Sequence, residues 1–291
     1  MPICQDRSVI ITGAGGGLGR AYALAFAAEG AKVLVNDINL PAAEAVVAEI
    51  RATGGEAIAN NGDITHYAAA GEIVRQAIEA FGDLHVLVNN AGICRDRMFA
   101  SLTEADWDAV MAVHLKGHFC LASHAVKHWR EQSKGGAQVK ARIINTSSGA
   151  GLQGSIGQSN YAAAKGGIAS LTLVQAAELA RYGITANALA PAARTGMTEE
   201  VFAELMKQPE DGFDYFAPEN VAPLVVWLGS EASQAVTGRM FEVEGGKLSV
   251  ADGWRRGPEF NKGARYQPGE VGEVVERLLA EAVPAQKVYG T

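Results

Sequence analysis

The sequence predicts an α/β protein with a parallel sheet buried between helices. Three observations predict it. Short, near-continuous apolar runs alternate with longer helix-prone stretches from the start of the chain, a glycine-rich turn joins the first run to the first helix, and 48% of the 291 residues are hydrophobic, enough for one large core. Strands covered on both faces lose in–out alternation and read as continuous apolar runs.

Taken in order, the strand runs are Ser8 to Thr12, Lys32 to Asn36, His85 to Asn89, Arg142 to Thr146 and Ile184 to Leu189, with a further run around Met240 to Val243 closing the sheet. Two helices stop at a glycine directly before a strand, Gly30 and Gly183, where a residue tolerant of positive φ ends the helix. Another helix opens at Thr103, whose hydroxyl and the carboxylate of Asp106 can cap exposed first-turn amides. After Gly245-Gly246 the pattern weakens, then returns as one helical stretch from Val271 to Ala282. There is no internal repeat.

The formal net charge of -7 argues against nucleic-acid and anionic-membrane partners, because an acidic surface does not attract them. Three cysteines without a CxxC pair suggest neither a disulfide framework nor a zinc site, and no metal is expected. No apolar run approaches the roughly twenty residues of a membrane span. The N-terminus has no signal-peptide pattern and the C-terminal Tyr-Gly-Thr carries no peroxisomal address. A soluble, cytoplasmic enzyme is the expectation.

Gly13, Gly17, Leu18 and Gly19 lie between the first strand and an alanine-rich helix, the context in which a GxxxGxG turn lets the backbone approach a pyrophosphate. Asp37 ends the second strand about twenty residues on, where a carboxylate accepts both ribose hydroxyls of NAD and repels the extra phosphate of NADP. A second reading stays open, in which Asp37 only caps the following turn. Arg20 beside the loop leaves room for dual specificity. NAD is the cofactor expected.

Tyr161 and Lys165 are spaced i,i+4 on a helix-prone segment and so share a face. A free phenol, with a pKa near 10, is a poor base at neutral pH; an adjacent ammonium favours the phenolate. With that help Tyr161 serves as general base toward an alcohol or general acid toward an alkoxide. Ser148, just past the end of a strand, can hydrogen-bond the substrate oxygen. Alone, a YxxxK pair only marks a helix surface; with the glycine turn and the serine it points to hydride-transfer chemistry.

These motifs, Thr12-Gly13 to Gly17-Leu18-Gly19, Asn89-Asn90-Ala91-Gly92, Ser147-Ser148 and Tyr161-Ala-Ala-Ala-Lys165, resemble those of the short-chain dehydrogenase/reductase family in order and spacing across roughly residues 5 to 246. The resemblance implies a single Rossmann-type, doubly wound domain with a seven-stranded parallel sheet over residues 1–246, followed by an extension over 247–291. It also implies that Asn90 supports the cofactor loop, that Lys165 binds the nicotinamide ribose, that Asp63 and Ile64 meet the adenine, that Ala91 and Gly92 line the cofactor, and that Pro191 opens a loop beside the nicotinamide. Family members commonly form homodimers or homotetramers through helices matching residues 105 to 130 and 160 to 182.

One position departs from the family pattern. Where many members carry asparagine in N-x-x-G, this chain reads His114-Leu-Lys-Gly117. His114 either holds a water or titrates in the proton relay, or simply fills the position. That departure, with Gly13 to Phe26, Arg95 to Ala100 and Val221 to Trp227, is similar to the dehydrogenase portion of type 2 multifunctional enzymes. This implies an NAD-linked oxidation of (3R)-hydroxyacyl-CoA, or of related hydroxysteroids. A 3-ketoacyl or small-molecule carbonyl reductase is the enzymatic alternative, and a catalytically silent NAD-binding sensor the alternative outside catalysis.

Residues 194 to 217, with a helix-prone piece from Thr198 to Lys207 and the aromatics Phe213, Tyr215 and Phe216, suit an apolar lid over a large substrate or ordinary surface packing. Arg255, Arg256, Lys262 and Arg265 make a local basic surplus that suits CoA phosphates or a solvated tail.

Overall fold

The computed structural model describes residues 2–196, 206–251, 255–284 and 286–290. Its sheet is ordered β3-β2-β1-β4-β5-β6-β7-β8. The strands are β1 (Ser8–Thr12), β2 (Lys32–Asn36), β3 (Glu56–Asn60), β4 (Val86–Asn89), β5 (Ala141–Thr146), β6 (Ile184–Ala192), β7 (Met240–Glu244) and β8 (Lys247–Ala251). β1 to β7 run parallel, and β8 returns antiparallel along β7. The sheet therefore has eight strands where seven are expected, and it extends beyond residue 246. The cause is local: Glu244 pairs with Lys247 across a two-residue Gly245-Gly246 turn in which Gly245 has φ 54°.

The central strands are buried at every position of β1, β4 and β5, as continuous apolar runs require. Their side chains still alternate. Val9 and Ile11 face one core with Tyr22, Phe26, Val46 and Leu228, while Ile10 and Leu87 face the other with Ile73, Leu121 and Trp129. The first layer holds α1 (Gly17–Ala28), α2 (Leu40–Ala52) and α8 (Ala222–Gly229). The second holds α3 (Tyr67–Phe81), α5 (Gly117–Lys134) and α7 (Ser159–Leu179). α4 (Glu104–Met111) runs into α5 through one π-helical turn, Ala112–Lys116, and the short α6 spans Gly149–Gln153. Gly30 and Gly183 take positive φ as expected, and the Thr103 hydroxyl accepts from the Asp106 amide at 3.1 Å.

β1 and β4 are neighbours although the chain visits β2 and β3 between them, so the direction of winding reverses there. Such a reversal opens a crevice at the carboxyl ends of the strands. The glycine turn, the Asn89–Gly92 segment and Ser148 all lie at that edge. The terminal helix α9 (Val271–Glu281) forms as the sequence predicts but has no buried residue. No described helix is long and apolar enough to cross a membrane.

Candidate active site

At Gly13 and Gly19 the turn is packed so closely that a side chain has no room. A Cβ on Gly19 would stand 2.3 Å from the Gly13 carbonyl and 2.8 Å from the Asn90 amide nitrogen, and one on Gly13 would stand 2.8 Å from Ala91 Cα. Asn90 holds this geometry: its side-chain amide donates to the Thr12 carbonyl at 2.9 Å and the Gly13 carbonyl at 3.3 Å. The Thr12 hydroxyl accepts from the amides of Asn90 and Ala91, both at 3.0 Å. α1 starts at Gly17 with no side-chain cap from Gly16, and a Cβ on Gly16 would meet nothing within 4 Å. Uncapped amides beside open space at a helix N-terminus suit the pyrophosphate of a dinucleotide.

Asp37 accepts from the Gly15 amide at 3.0 Å and from the Asn39 amide at 2.9 Å. The turn-capping role is thus real, and the half-buried carboxylate stands beside the glycine loop. Arg20 donates to both oxygens of Glu49, at 3.1 and 2.5 Å, which commits its guanidinium to that carboxylate. Asp63 accepts from the Thr65 amide at 2.8 Å and meets the His66 ring at 3.1 Å. Burial pushes the Asp63 carboxyl up, but these hydrogen bonds outweigh it and leave its pKa below the usual value. Ile64 is buried, and a Cβ on Gly117 would lie 2.7 Å from its Cδ1. Pro191 is the second-last residue of β6 rather than the start of a loop, because β6 continues to Ala192 beside β7.

Tyr161 and Lys165 sit one turn apart at the start of α7. Lys165 is 2% exposed and its Nζ donates to the Thr146 carbonyl at 2.6 Å, while lying 5.5 Å from the centre of the Tyr161 ring. Burial pushes its pKa down to about 7, with the neighbouring Cys94 thiol acting weakly the other way. Tyr161 is pushed up to about 12, by burial first and by Cys94 second, while a hydrogen bond with Ser148 lowers it. The expected drop of the phenol beside the ammonium is therefore not met in this geometry: burial raises it, and the Nζ proton goes to a backbone carbonyl. Ser148 caps α6 by accepting from the Ala150 amide at 3.2 Å, which holds its hydroxyl at the crevice.

His114 stands behind this pair. Its ring meets Tyr161 edge-on at 5.2 Å, and Nε2 faces both the amide and the carbonyl of Ile93, at 3.0 and 2.8 Å. It is 1% exposed, and burial, with the Lys165 charge second, pulls its pKa down to about 3. A ring held neutral by burial bonds the Ile93 backbone directly after the Asn89–Gly92 segment.

Two further polar residues position the catalytic helix: Asn160, which the sequence did not single out, and Ser147, read there only as part of the Ser147-Ser148 pair. Asn160, fully buried, donates to the carbonyls of Arg95 at 3.1 Å and Asp106 at 3.3 Å, and its oxygen accepts from the Tyr161 amide at 2.8 Å. Ser147 donates to the Lys165 carbonyl at 2.7 Å. A polar residue directly before the tyrosine of a YxxxK pair, at a helix start, was the available signal for Asn160.

Of the lid sequence, residues 197–205 lie outside the described residues, and with them most of the Thr198 to Lys207 piece. The rest is anchored: Arg194 pairs with Asp214, and its amide donates to the Phe216 carbonyl at 2.7 Å. The basic surplus downstream is partly neutralised, since Arg256 pairs with Glu259 at 3.1 Å and Lys262 with Glu270 at 2.5 Å.

A turn built for a pyrophosphate and a half-buried serine and tyrosine beside a buried lysine at one sheet edge define a dinucleotide-dependent oxidoreductase. The chain belongs to the short chain dehydrogenase family, whose model matches residues 7–205. That family uses NAD(P). Over 295 residues the chain is 42% identical to hydroxyacyl-CoA dehydrogenase ChsB1 of Mycobacterium tuberculosis, covering 99% of this chain and 93% of that one. It is 45% identical to the mouse peroxisomal multifunctional enzyme type 2, matching 96% of this chain but only 41% of that longer protein. A crystal structure of a short chain dehydrogenase from Mycobacterium avium superposes with TM-score 0.92 at 57% identity, covering 99% of this chain and 100% of that one.

Proposed function

We propose that this chain is an NAD-dependent (3R)-hydroxyacyl-CoA dehydrogenase that also has room for related hydroxysteroids. The observation that carries the reading is the grouping of Ser148, Tyr161 and Lys165 in a chain 42% identical, over 99% of its length, to a hydroxyacyl-CoA dehydrogenase. When bound, the dinucleotide accepts or supplies the hydride. Ser148 hydrogen-bonds the substrate oxygen, Tyr161 gives or takes its proton, and Lys165 passes that proton onward and binds the ribose. A phenol near 12 is protonated at neutral pH and so is set as the acid for carbonyl reduction. Oxidation requires that proton to leave on the side of Lys165, whose Nζ stands 5.5 Å from the ring centre.

NAD is favoured over NADP by Asp37 at the end of β2, with Arg20 held by Glu49. Cofactor contacts fall to Gly13, Gly17, Leu18, Gly19, Asp63, the Ile64 backbone, Asn90, Ala91, Gly92 and Pro191. The described parts of the lid sequence, 194–196 and 206–217, border the substrate; residues 197–205 lie outside the described residues. The exposed apolar face of Met111, Leu115, Phe119 and Leu171 is where a second copy docks, giving a homodimer or homotetramer. Three free cysteines suit a reducing cytoplasm. Turnover with NAD and NADP on panels of 3-hydroxyacyl-CoA thioesters and hydroxysteroids tests the reading. Oxidation of the (3R) thioesters with NAD supports it, and activity on neither panel refutes it. Sedimentation velocity tests the assembly.

A further inference from the structure

The end of the described chain returns to the catalytic edge. Residues 286–290 run beside the loop joining α6 to α7, with Ser155 and Tyr289 paired in a parallel bridge. The Ile156 amide donates to the Tyr289 carbonyl at 3.0 Å, and the Tyr289 amide donates to the Gly154 carbonyl at 3.2 Å. Flanking residues tighten the fit: a Cβ on Gly154 would meet a Val288 methyl at 3.4 Å, and one on Gly290 would meet Ile156 at the same distance. Backbone bonds on both sides of Tyr289 fix the direction in which its ring leaves the chain.

That ring lies on the Ser148 turn. A Cβ on Gly149 would stand 2.6 Å from the Tyr289 hydroxyl and 2.9 Å from its ring edge. Gly149 is the first residue of α6 and follows Ser148 directly, so the phenol is in contact with the backbone that presents the catalytic hydroxyl. Tyr289 is 47% exposed, and among the described residues its hydroxyl has no hydrogen-bond partner. An uncommitted donor is therefore held one residue from the point where the substrate oxygen binds.

We propose that Tyr289 is a substrate-contacting, specificity-determining residue whose hydroxyl donates to a second oxygen of the substrate, the carbonyl two carbons from the reacting alcohol. This rests on the hydroxyacyl thioester reading above. Such a β-hydroxy carbonyl compound carries two oxygens on one short stretch: the first goes to Ser148 and Tyr161, the second to Tyr289. A simple secondary alcohol has nothing to offer the phenol.

The test compares the parent with Tyr289→Phe and Tyr289→Ala in the full-length enzyme. Loss of one neutral hydrogen bond predicts a rise of about five- to tenfold in KM for 3-hydroxybutyryl-CoA in Tyr289→Phe, with kcat within about twofold. Turnover of a secondary alcohol without a second carbonyl should stay unchanged, so selectivity falls by the same factor; Tyr289→Ala should lose more. Isothermal titration with acetoacetyl-CoA, which needs no turnover, should show the same weakening. Parent-like KM and acetoacetyl-CoA affinity in both variants would overturn the role of Tyr289 while leaving the thioester reading intact. A parent that neither binds acetoacetyl-CoA nor oxidises 3-hydroxybutyryl-CoA overturns the thioester reading, and the proposal with it.

Discussion

Replacing Lys165 by methionine should stabilise the protein while ending turnover. Folding lowers the lysine's pKa from 10.5 to about 7, so the folded state holds this charge far less readily than the unfolded chain does. At about 1.36 kcal/mol per pH unit that gap has an upper bound of about 5 kcal/mol. Methionine keeps the unbranched length and drops the charge. It also strips the Thr146 carbonyl of its donor at 2.6 Å, a loss of about 1–3 kcal/mol for a buried acceptor. A net gain of about 2–4 kcal/mol remains at low pH, which for a chain of this length raises Tm by about 3–6 °C. Because the folded pKa lies below the unfolded one, the cost of the ammonium is fully present below pH 7 and fades as pH climbs toward 10.5. Scanning calorimetry of parent and Lys165→Met at pH 6.5 and pH 10 reads this directly. The gain should appear at pH 6.5 and vanish or reverse at pH 10. A variant that melts below the parent at pH 6.5, or a gap that does not shrink with pH, refutes the reasoning.

Tyr161→Phe should cut turnover by about 10²–10⁴ with dinucleotide affinity, read by protein fluorescence, retained. His114→Asn should leave the shape of the kcat/KM profile between pH 5.5 and 9 unchanged, because a ring pulled down to about 3 does not change charge in that window; a displaced acid limb would restore a titrating role. Asp37→Ser should raise KM for NAD by about tenfold or more, since the carboxylate's bonds to two amides go with it, and should improve NADP relative to NAD as like-charge repulsion is removed. Steady-state kinetics with both cofactors checks the ratio.

The apolar runs were readable because a buried strand has to be apolar at every position. β3 escaped the reading for the same reason: its Glu-Ala-Ile-Ala-Asn lies at the sheet edge and buries one residue fully, so it carries little apolar signal. β8 is almost wholly exposed and forms only because β7 offers it a partner. Its signal was the Gly245-Gly246 pair, which also fits a simple break in the chain. The catalytic residues were legible as types at spacings, but their ionisation was not. Whether Lys165 draws Tyr161 down depends on where Nζ points, and it points to a carbonyl eighteen or more residues away in sequence, that of Thr146. The contact of Tyr289 with the Ser148 turn joins distant segments with no periodic pattern between them, so only the folded chain reveals it.

His114 is best understood together with Gly92. A Cβ on Gly92 would stand 2.4 Å from the His114 ring, so the imidazole fits only because that position of the Asn89–Gly92 segment has no side chain. The ring then bonds the Ile93 backbone on one side and meets Tyr161 edge-on at 5.2 Å on the other. The cofactor segment after β4 and the phenol on α7 are thereby in contact through one rigid, neutral group. Asparagine at 114 is shorter and flexible about its amide; it can satisfy one Ile93 group but cannot fill the space against the Tyr161 ring. In the proposed mechanism, histidine at this position acts by fixing where Tyr161 stands relative to the Asn89–Gly92 segment. A substitution at 114 should accordingly change rate by displacing Tyr161, with its signature in kcat and in the tyrosine's orientation rather than in a new pKa.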